Sequence, residues 1–501
     1  MEQPNDSLKV LAKGAIIILT LSVLTKILNY VYKIIVARSL GPEGYGVIIL
    51  TSGIIGFCAS LAVFNLSSGV ERYLSYYREK EGRIKSVTIF SIRFVMITGV
   101  LMYILILLFY KYVSLEIFKN PLLLKTLPIF ALAIPFYVLL EIVLAAFRGF
   151  EKQVFYGIFG EFGKSFIKLV ITSVFLLLGL GITGISWAYP LTFFVLFSFG
   201  FLVLTNKVFN IFNKKIKEEN MTKELLKYSY PLFFAGTLWI VSSWIDSFMI
   251  GYFKPEADIG IYNVAFSTSS LMTIFFVALG SFFIPVVSNL FSKEKIDEIK
   301  EIYSRTCKWN LIIGSIIIGF LIIFSQYIIN ILFGIDYSNG KIPLIILCIG
   351  FFVMIATGYS EQLLMAVGKT KLTFFARLIS LISNVTLNII LIPKYGIIGA
   401  AVATSASFIV LHASLLIMIN KFLSINPFNT GYYKTLVSLG TASLASFGIY
   451  HFVKPGFYTM LISFFVFSAL MISLIIILKV LDKEDFYILK AILRKVGIKI
   501  L

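Results

Sequence analysis

The chain has 501 residues, 59% of them hydrophobic and 16% aromatic, with a mean hydropathy of +0.94. A soluble globular domain carries about 45–50% apolar residues, so this composition excludes one and requires a polytopic membrane protein. The net charge of +19 does not signal nucleic acid as a partner, because Lys and Arg sit mainly in alternate loops between apolar runs.

Apolar runs long enough to cross a bilayer, about 20 residues each, predict an all-α polytopic membrane protein with about fourteen transmembrane helices. The first six fall at 14–37, 46–70, 86–110, 124–147, 154–179 and 183–205, followed by a lysine-rich linker at 206–227. Six more fall at 228–251, 259–287, 306–331, 342–366, 372–392 and 397–420, and two at 433–452 and 457–480. The asymmetry of basic loops places both termini in the cytoplasm and the chain in the cell membrane. The first span is interrupted by Lys26 and Lys33 and has no small-residue cleavage site after it, which marks a retained helix and not a signal peptide.

Three separated blocks repeat at one common offset: KEGRIKSVTIFSIRFVMITG with KIDEIKEIYSRTCKWNLIIG, LPIFALAIPFYV with IPLIILCIGFFV, and GITGISWA with GIIGAAVA. Helices 1–6 and 7–12 are therefore read as duplicated lobes. An even number of spans per copy makes the repeats parallel, a design that places substrate between lobes that rock against each other. The expected organisation is an N-lobe at 1–205, a cytoplasmic linker at 206–227, a C-lobe at 228–421 and helices 13–14 within 422–480. An amphipathic tail at 481–501 is expected to lie on the anionic inner leaflet.

Ionisable groups at bilayer depth cost about 2.5–3.5 kcal/mol each on insertion scales, so they normally face protein or a water-filled cavity. In the first lobe these are Lys26, Lys33, Arg93, Glu141, Glu161, Lys164 and Lys168, and in the second Asp246, Lys308, Glu361 and Arg377. Lys26 and Lys33 share a helix face with Tyr30 near it, and Glu161, Lys164 and Lys168 form a second stripe at i, i+3, i+7. The simplest arrangement turns both stripes into one cationic cavity; snorkelling to the headgroups is the competing reading for Lys26 and Lys164. Aligning PEGYG on PEADIG puts Lys33 and Asp246 at matching places in the two lobes, a candidate gate. Glu141 and Glu361 form another matching pair, read either as coupling sites for Na+ or H+ or as structural partners of nearby cations.

Several chemistries are missing. Gly368-Lys369-Thr370 has Leu363 where a phosphate-binding loop needs its first glycine, so ATP is not the direct energy source. Cys58, Cys307 and Cys348 and the two histidines, His412 and His451, are too scattered for a disulfide framework, a metal site or a triad. No cofactor, metal or catalytic residue is expected, and short loops argue against a membrane glycosyltransferase or ligase.

The segments ARSLGPEGYG after helix 1, SSGVERYLS at the end of helix 2, and SYPLFF with WIDSFMIGYFKPEADIGIYNVAFS over helices 7 and 8 resemble the polysaccharide-transporter (oligosaccharide flippase) family of the multidrug/oligosaccharidyl-lipid/polysaccharide exporter superfamily. The six-plus-six-plus-two pattern extends this likeness over essentially the whole chain. The resemblance implies a two-lobed transporter, monomeric and not an enzyme, that carries polyprenyl-linked sugar precursors from the cytoplasmic to the outer leaflet by alternating access. An anionic phosphate or pyrophosphate on such a lipid suits a cavity bearing Lys33, Arg93 and Lys168, with Lys164, Lys26 and Tyr30 as further contacts. A lipid II flippase and a multidrug/cation antiporter of the same superfamily are the alternatives.

Overall fold

The computed structural model describes residues 6–452, 456–482 and 485, so the expected tail helix beyond 485 lies outside the described residues. Among the described residues every regular element is helical, which satisfies backbone polar groups without water. Eight helices among them are long and apolar enough to cross a membrane, and the bent pair Pro121–Ala131 and Ala133–Gly149 makes a ninth.

Two helices are too long for one crossing. The 58-residue α1 (Asp6–Val63) and the 54-residue α16 (Thr370–Leu423) would each extend about 80–90 Å if straight, against a hydrocarbon core of about 30 Å. Each contains one non-helical residue, Gly41 (φ 67°, ψ 179°) and Gly396 (φ 57°, ψ −135°). Both breaks sit between two expected spans, at positive φ that glycine adopts without a Cβ clash. Pro42 and Pro393 beside them remove backbone donors and weaken the ladder at the same places.

The chain divides into two compact units. The first comprises Met1–Ser267, Leu332–Gly340 and Val385–Ala400, and the second Thr268–Ile331, Lys341–Asn384 and Ala401–Leu501. The division thus falls near the end of α10 (Glu256–Ser269), downstream of the linker at 206–227 where the repeat suggests a lobe boundary.

The first unit is built on α5 (Ala133–Gly149), whose Val138, Leu140, Ile142, Val143 and Phe147 are fully buried. It packs against α1, α2 (Leu66–Tyr76), α3 (Glu81–Tyr112) and α8 (Gly181–Val203). The shorter α4 (Pro121–Ala131) precedes it, with the Asn120 side chain accepting from the Leu122 and Leu123 backbone N–H groups and Pro121 at the first helical position. That is the residue order a helix start favours. The linker lies against the start of α3: Lys85 donates to the carbonyls of Asn213 (2.9 Å) and Ile216 (3.0 Å), and Arg83 pairs with Glu219 at 2.8 Å.

Within the same unit the two copies of the PEGYG/PEADIG motif meet backbone to backbone. A Cβ on Gly46 of α1 would lie 1.9 Å from the Glu256 carbonyl oxygen, and one on Gly260 of α10 would lie 2.3 Å from that of Pro42. Only hydrogen fits at either position, so each copy supplies the glycine that receives the other's chain. Around this contact Arg38 donates to the Leu332 carbonyl (2.8 Å), and buried Tyr337 donates to that of Ala37 (2.9 Å).

In the second unit α12 (Ile296–Ile323) packs on α14 (Lys341–Ala356), α17 (Thr430–Phe452) and α18 (Phe457–Ile477). Ala442, Phe467, Met471, Ile475 and Val480 form a buried cluster where α17 and α18 meet. Below it, Lys308 of α12 is buried and bonded to the fully buried Asp485, with Asp482 at 3.3 Å and the Trp309 indole N–H donating to Asp485 at 2.9 Å. Burial alone would raise the Asp482 carboxyl, but the Asp485 backbone N–H, Lys308 and Arg305 outweigh it and pull it down to about 2. Lys308 therefore fastens the end of α18 to α12 and faces no open cavity.

Two stability predictions follow from these contacts. Gly46→Val should destabilise the detergent-solubilised protein by about 1–3 kcal/mol through overpacking, whereas Gly440→Ala, with nothing within 4 Å of the added Cβ, should leave it unchanged. The measurement is the temperature at which half of the protein still elutes as a single peak, and equal values for the two variants contradict the contact. Lys308→Met should lose about 3–5 kcal/mol by stranding a buried carboxylate, while Lys308→Met with Asp485→Leu should recover most of it. A double variant no more stable than the single one would refute the pairing.

Candidate functional site

The site is assembled in the first unit where α1 meets α7 (Glu161–Leu177) and α10. On α1 before the Gly41 break, Lys33 Nζ donates to Ser267 Oγ (2.5 Å) and to Asn263 Oδ1 (3.3 Å). The same Asn263 oxygen accepts from buried Tyr45 (3.0 Å), on the far side of the break, and from Ser267 Oγ (3.2 Å). Asn263 and Ser267 share one face of α10 at i, i+4, so one amide oxygen gathers donors from both halves of α1. The glycine contact one turn away sets the approach that makes this possible.

Next to Lys33 in sequence, Tyr32 is buried, with the Lys168 ammonium 4.2 Å from its ring centroid. Lys168 has no hydrogen bond or ion pair to a carboxylate among the described residues, and Lys33 has only neutral partners. The two ammonium groups repel each other. One turn along α7, Lys164 is bonded to Glu141 of α5 at 2.8 Å and to Glu161 at 2.9 Å, 5.4 Å from the Tyr137 ring centroid. Two carboxylates thus serve one of three lysines, and the local excess is positive. Behind them an aromatic wall runs from Phe130 to Tyr189 (4.6 Å), Phe193 (5.1 Å) and Tyr137 (5.0 Å) between centroids.

The remaining expected residues lie elsewhere or have other partners. Lys26 and Tyr30 are half-buried on α1, and Tyr30 packs edge-on against Phe333 at 5.8 Å. Arg93 is exposed on α3, beside the exposed Met96 and Ile97, and makes no ion pair among the described residues. Asp246, on α9 (Thr222–Phe253), accepts from Tyr262 Oη (2.9 Å) and Asn388 Nδ2 (2.8 Å). The matching positions Lys33 and Asp246 are thus held by the adjacent residues Asn263 and Tyr262 of α10. In the second unit, Arg377 of α16 grips Glu361 with two hydrogen bonds, 2.5 and 2.7 Å. Each of the paired acids Glu141 and Glu361 therefore holds a cation from the next long helix.

Asn263, Ser267, Tyr45, Tyr137 and Tyr189 are missed by a search for charges. The signal for the first two is the polar i, i+4 pair within YNVAFSTS of helix 8, and Tyr45 stands between two glycines of GYG.

With this geometry in place, comparison with known proteins gives a consistent relationship. The model of the family described as polysaccharide biosynthesis protein matches residues 11–291, and the MatE model matches residues 231–390. A probable low-salt glycan biosynthesis flippase of Haloferax volcanii, Agl15, is 33% identical over 189 residues, 36% of this chain and 39% of that protein. A putative O-antigen transporter of Shigella flexneri is 24% identical over 399 residues, 76% of this chain and 90% of that protein. The chain spans less than half the length of the first curated relatives it matches. A solved lipid II flippase MurJ, in an inward closed conformation, shares the fold with a TM-score of 0.72 at 18% identity, over 92% of this chain and 98% of that one. With more than half of its length matched by that model, the chain belongs to the polysaccharide biosynthesis protein family of multi-pass membrane proteins.

Proposed function

We propose that the protein is a flippase that carries a polyprenyl-(pyro)phosphate-linked oligosaccharide or polysaccharide precursor across the cytoplasmic membrane by alternating access. The observation that carries this reading is the pair Lys33 and Lys168, two part-buried ammonium groups that make no hydrogen bond or ion pair to a carboxylate among the described residues, Glu161 acting on Lys168 only at longer range. An unneutralised cation at bilayer depth is costly, and a phosphate or pyrophosphate entering between the two would offset both costs through charge-assisted hydrogen bonds. The aromatic wall of Tyr137, Tyr189 and Phe193 supplies flat apolar faces for sugar rings. The names of the relatives, a glycan biosynthesis flippase and an O-antigen transporter, support the same substrate class.

The topology that accompanies this reading has fourteen crossings and both termini in the cytoplasm. Splitting α1 and α16 at their glycine breaks, and counting α7, the α10–α11 pair (α11, Thr273–Ser292) and α17 as spans, brings the candidates to that number. The functional lobes are 1–205 and 228–421, joined by the linker at 206–227 and followed by helices 13–14 within 422–480 and the tail from 481. The protein works as a monomer surrounded by membrane lipid, and it performs no covalent chemistry. Transport draws on a Na+ or H+ gradient, with the Glu141–Lys164–Glu161 group as the coupling site: protonating or ion-binding one acid changes what holds Lys164 and hence the charge beside Lys168. Arg93 is a substrate contact only in a state where α3 lines the cavity.

Two alternatives within the superfamily are separable. A lipid II flippase is favoured by the fold likeness to MurJ over nearly the whole chain, and an antiporter of organic cations by the MatE match. The positive excess at Lys33 and Lys168 opposes the second.

In vesicles containing a labelled lipid-linked oligosaccharide, the protein should make the label accessible in the opposite leaflet. Lys33→Ala and Lys168→Ala should each slow this by about 10- to 100-fold, the loss of a charged hydrogen bond worth roughly 1.5–3 kcal/mol, with normal abundance in the membrane. Full activity of both variants, or product formation without translocation, would rule the proposal out. Glu141→Gln should abolish the response to an imposed Na+ or H+ gradient; an unchanged response places coupling elsewhere.

A further inference from the structure

A cavity lies wholly inside the second unit, away from any residue used above for substrate or coupling. It encloses about 580 Å3 between α12, α14, α17 and α18, within the roughly 300–1,000 Å3 of small-ligand sites. Its walls are apolar, with Ile318, Ile322, Ile345, Phe352, Phe447 and Phe467 among them. Gly319 makes the floor possible: a Cβ there would lie 2.3 Å from the Phe467 ring, so the ring lies directly on α12. The exposed Leu444 and Phe447 of α17 flank the opening.

The polar groups of this cavity lie at one end and along α17 and α18, where Ser443, Ser446 and Ser463 line it. Ser325, Gln326 and Lys341 line one end, where α12 finishes and α14 begins. Lys341 is partly buried and has no ion-pair partner among the described residues. Deeper, Ser463 of α18 is fully buried, lines the cavity, and has no hydrogen-bond partner for its hydroxyl among the described residues. A buried hydroxyl left unsatisfied costs about 1–3 kcal/mol, which a ligand oxygen at this wall would offset. A ligand with one anionic end at Lys341, an oxygen-bearing backbone near Ser463 and an apolar body along α12 and α18 meets all three requirements.

We infer that this cavity holds one resident membrane glycerophospholipid, its phosphate on Lys341, its backbone oxygen on Ser463 and one chain in the apolar pocket. At about 30 Å3 per water-sized group, the volume takes roughly twenty chain atoms, which suits a single phospholipid chain. This lipid braces α17 and α18 against α12, and a cargo tail is the competing occupant that the test separates. The orientation proposed above puts its headgroup in the outer leaflet; the inference rests on the membrane reading and is independent of the cargo.

The test uses the full chain in nanodiscs doped with a phosphatidylglycerol carrying a diazirine near the end of one chain. After illumination, the label should map to peptides spanning 318–326, 345–352 and 460–467. Lys341→Ala should lower the yield about fivefold, the worth of roughly 1 kcal/mol for one basic residue at a phosphate, while Lys341→Arg should retain it. Ser443→Trp, at the cavity wall, should reduce labelling of the same peptides further, with elution as a single peak confirming that the variant folds. Labelling spread over lipid-facing surfaces and indifferent to Lys341 would overturn the inference. So would displacement by polyprenyl phosphate but not by unlabelled phosphatidylglycerol, which would assign the cavity to a cargo tail. Labelling does not depend on translocation, so this proposal and the flippase reading fail separately.

Discussion

The contact on which the candidate site depends is the one at Gly46 and Gly260. Two copies of one short motif approach until each glycine faces the other copy's carbonyl oxygen, a distance no side chain permits. That approach brings Tyr45 and Lys33, on opposite sides of the Gly41 break, to the same oxygen of Asn263. A wider separation would leave Lys33 with no partner inside an apolar helix, where a lone ammonium is strongly disfavoured. The close packing therefore positions a cation as well as closing a helix junction.

Charge is distributed unequally around that junction. The acids Glu141 and Glu161 both bond Lys164, and in the second unit Glu361 holds Arg377 in a bidentate pair and Asp485 holds the buried Lys308. Lys33 and Lys168 are held instead by a neutral hydroxyl, an amide oxygen and an aromatic face. Structural ion pairs stabilise a fixed arrangement, whereas unmatched cations that repel each other favour an arriving anion. This difference separates the proposed binding residues from the scaffold.

The sequence made the membrane class, the helical content and the gaps between spans in which Gly41 and Gly396 break their helices legible, because hydropathy acts locally. The stripe of Glu161, Lys164 and Lys168 was legible as one helix face, and Lys164 does pair with Glu161 at i+3. Its second acid, Glu141, comes from another helix, and no spacing rule predicts that meeting. The correspondence of Lys33 with Asp246 was visible by alignment, but their partners were not. Both are bound by α10, through neutral Asn263, Ser267 and Tyr262, which a search for ionisable groups passes over. Lys308 was read at bilayer depth, yet its partner Asp485 lies just beyond α18, so it serves as a fastening. Arg93 is exposed on α3 and makes no ion pair among the described residues, so its place beside the Lys33 and Lys168 group stays an expectation from the sequence.

The most direct measurement is equilibrium binding of a polyprenyl pyrophosphate to the purified protein, compared with the matching polyprenol that lacks phosphate. The wild-type chain should prefer the phosphorylated lipid, and Lys33→Gln combined with Lys168→Gln should remove that preference while still binding the polyprenol equally. A preference undiminished in the double variant would contradict the assignment of these two lysines to the headgroup.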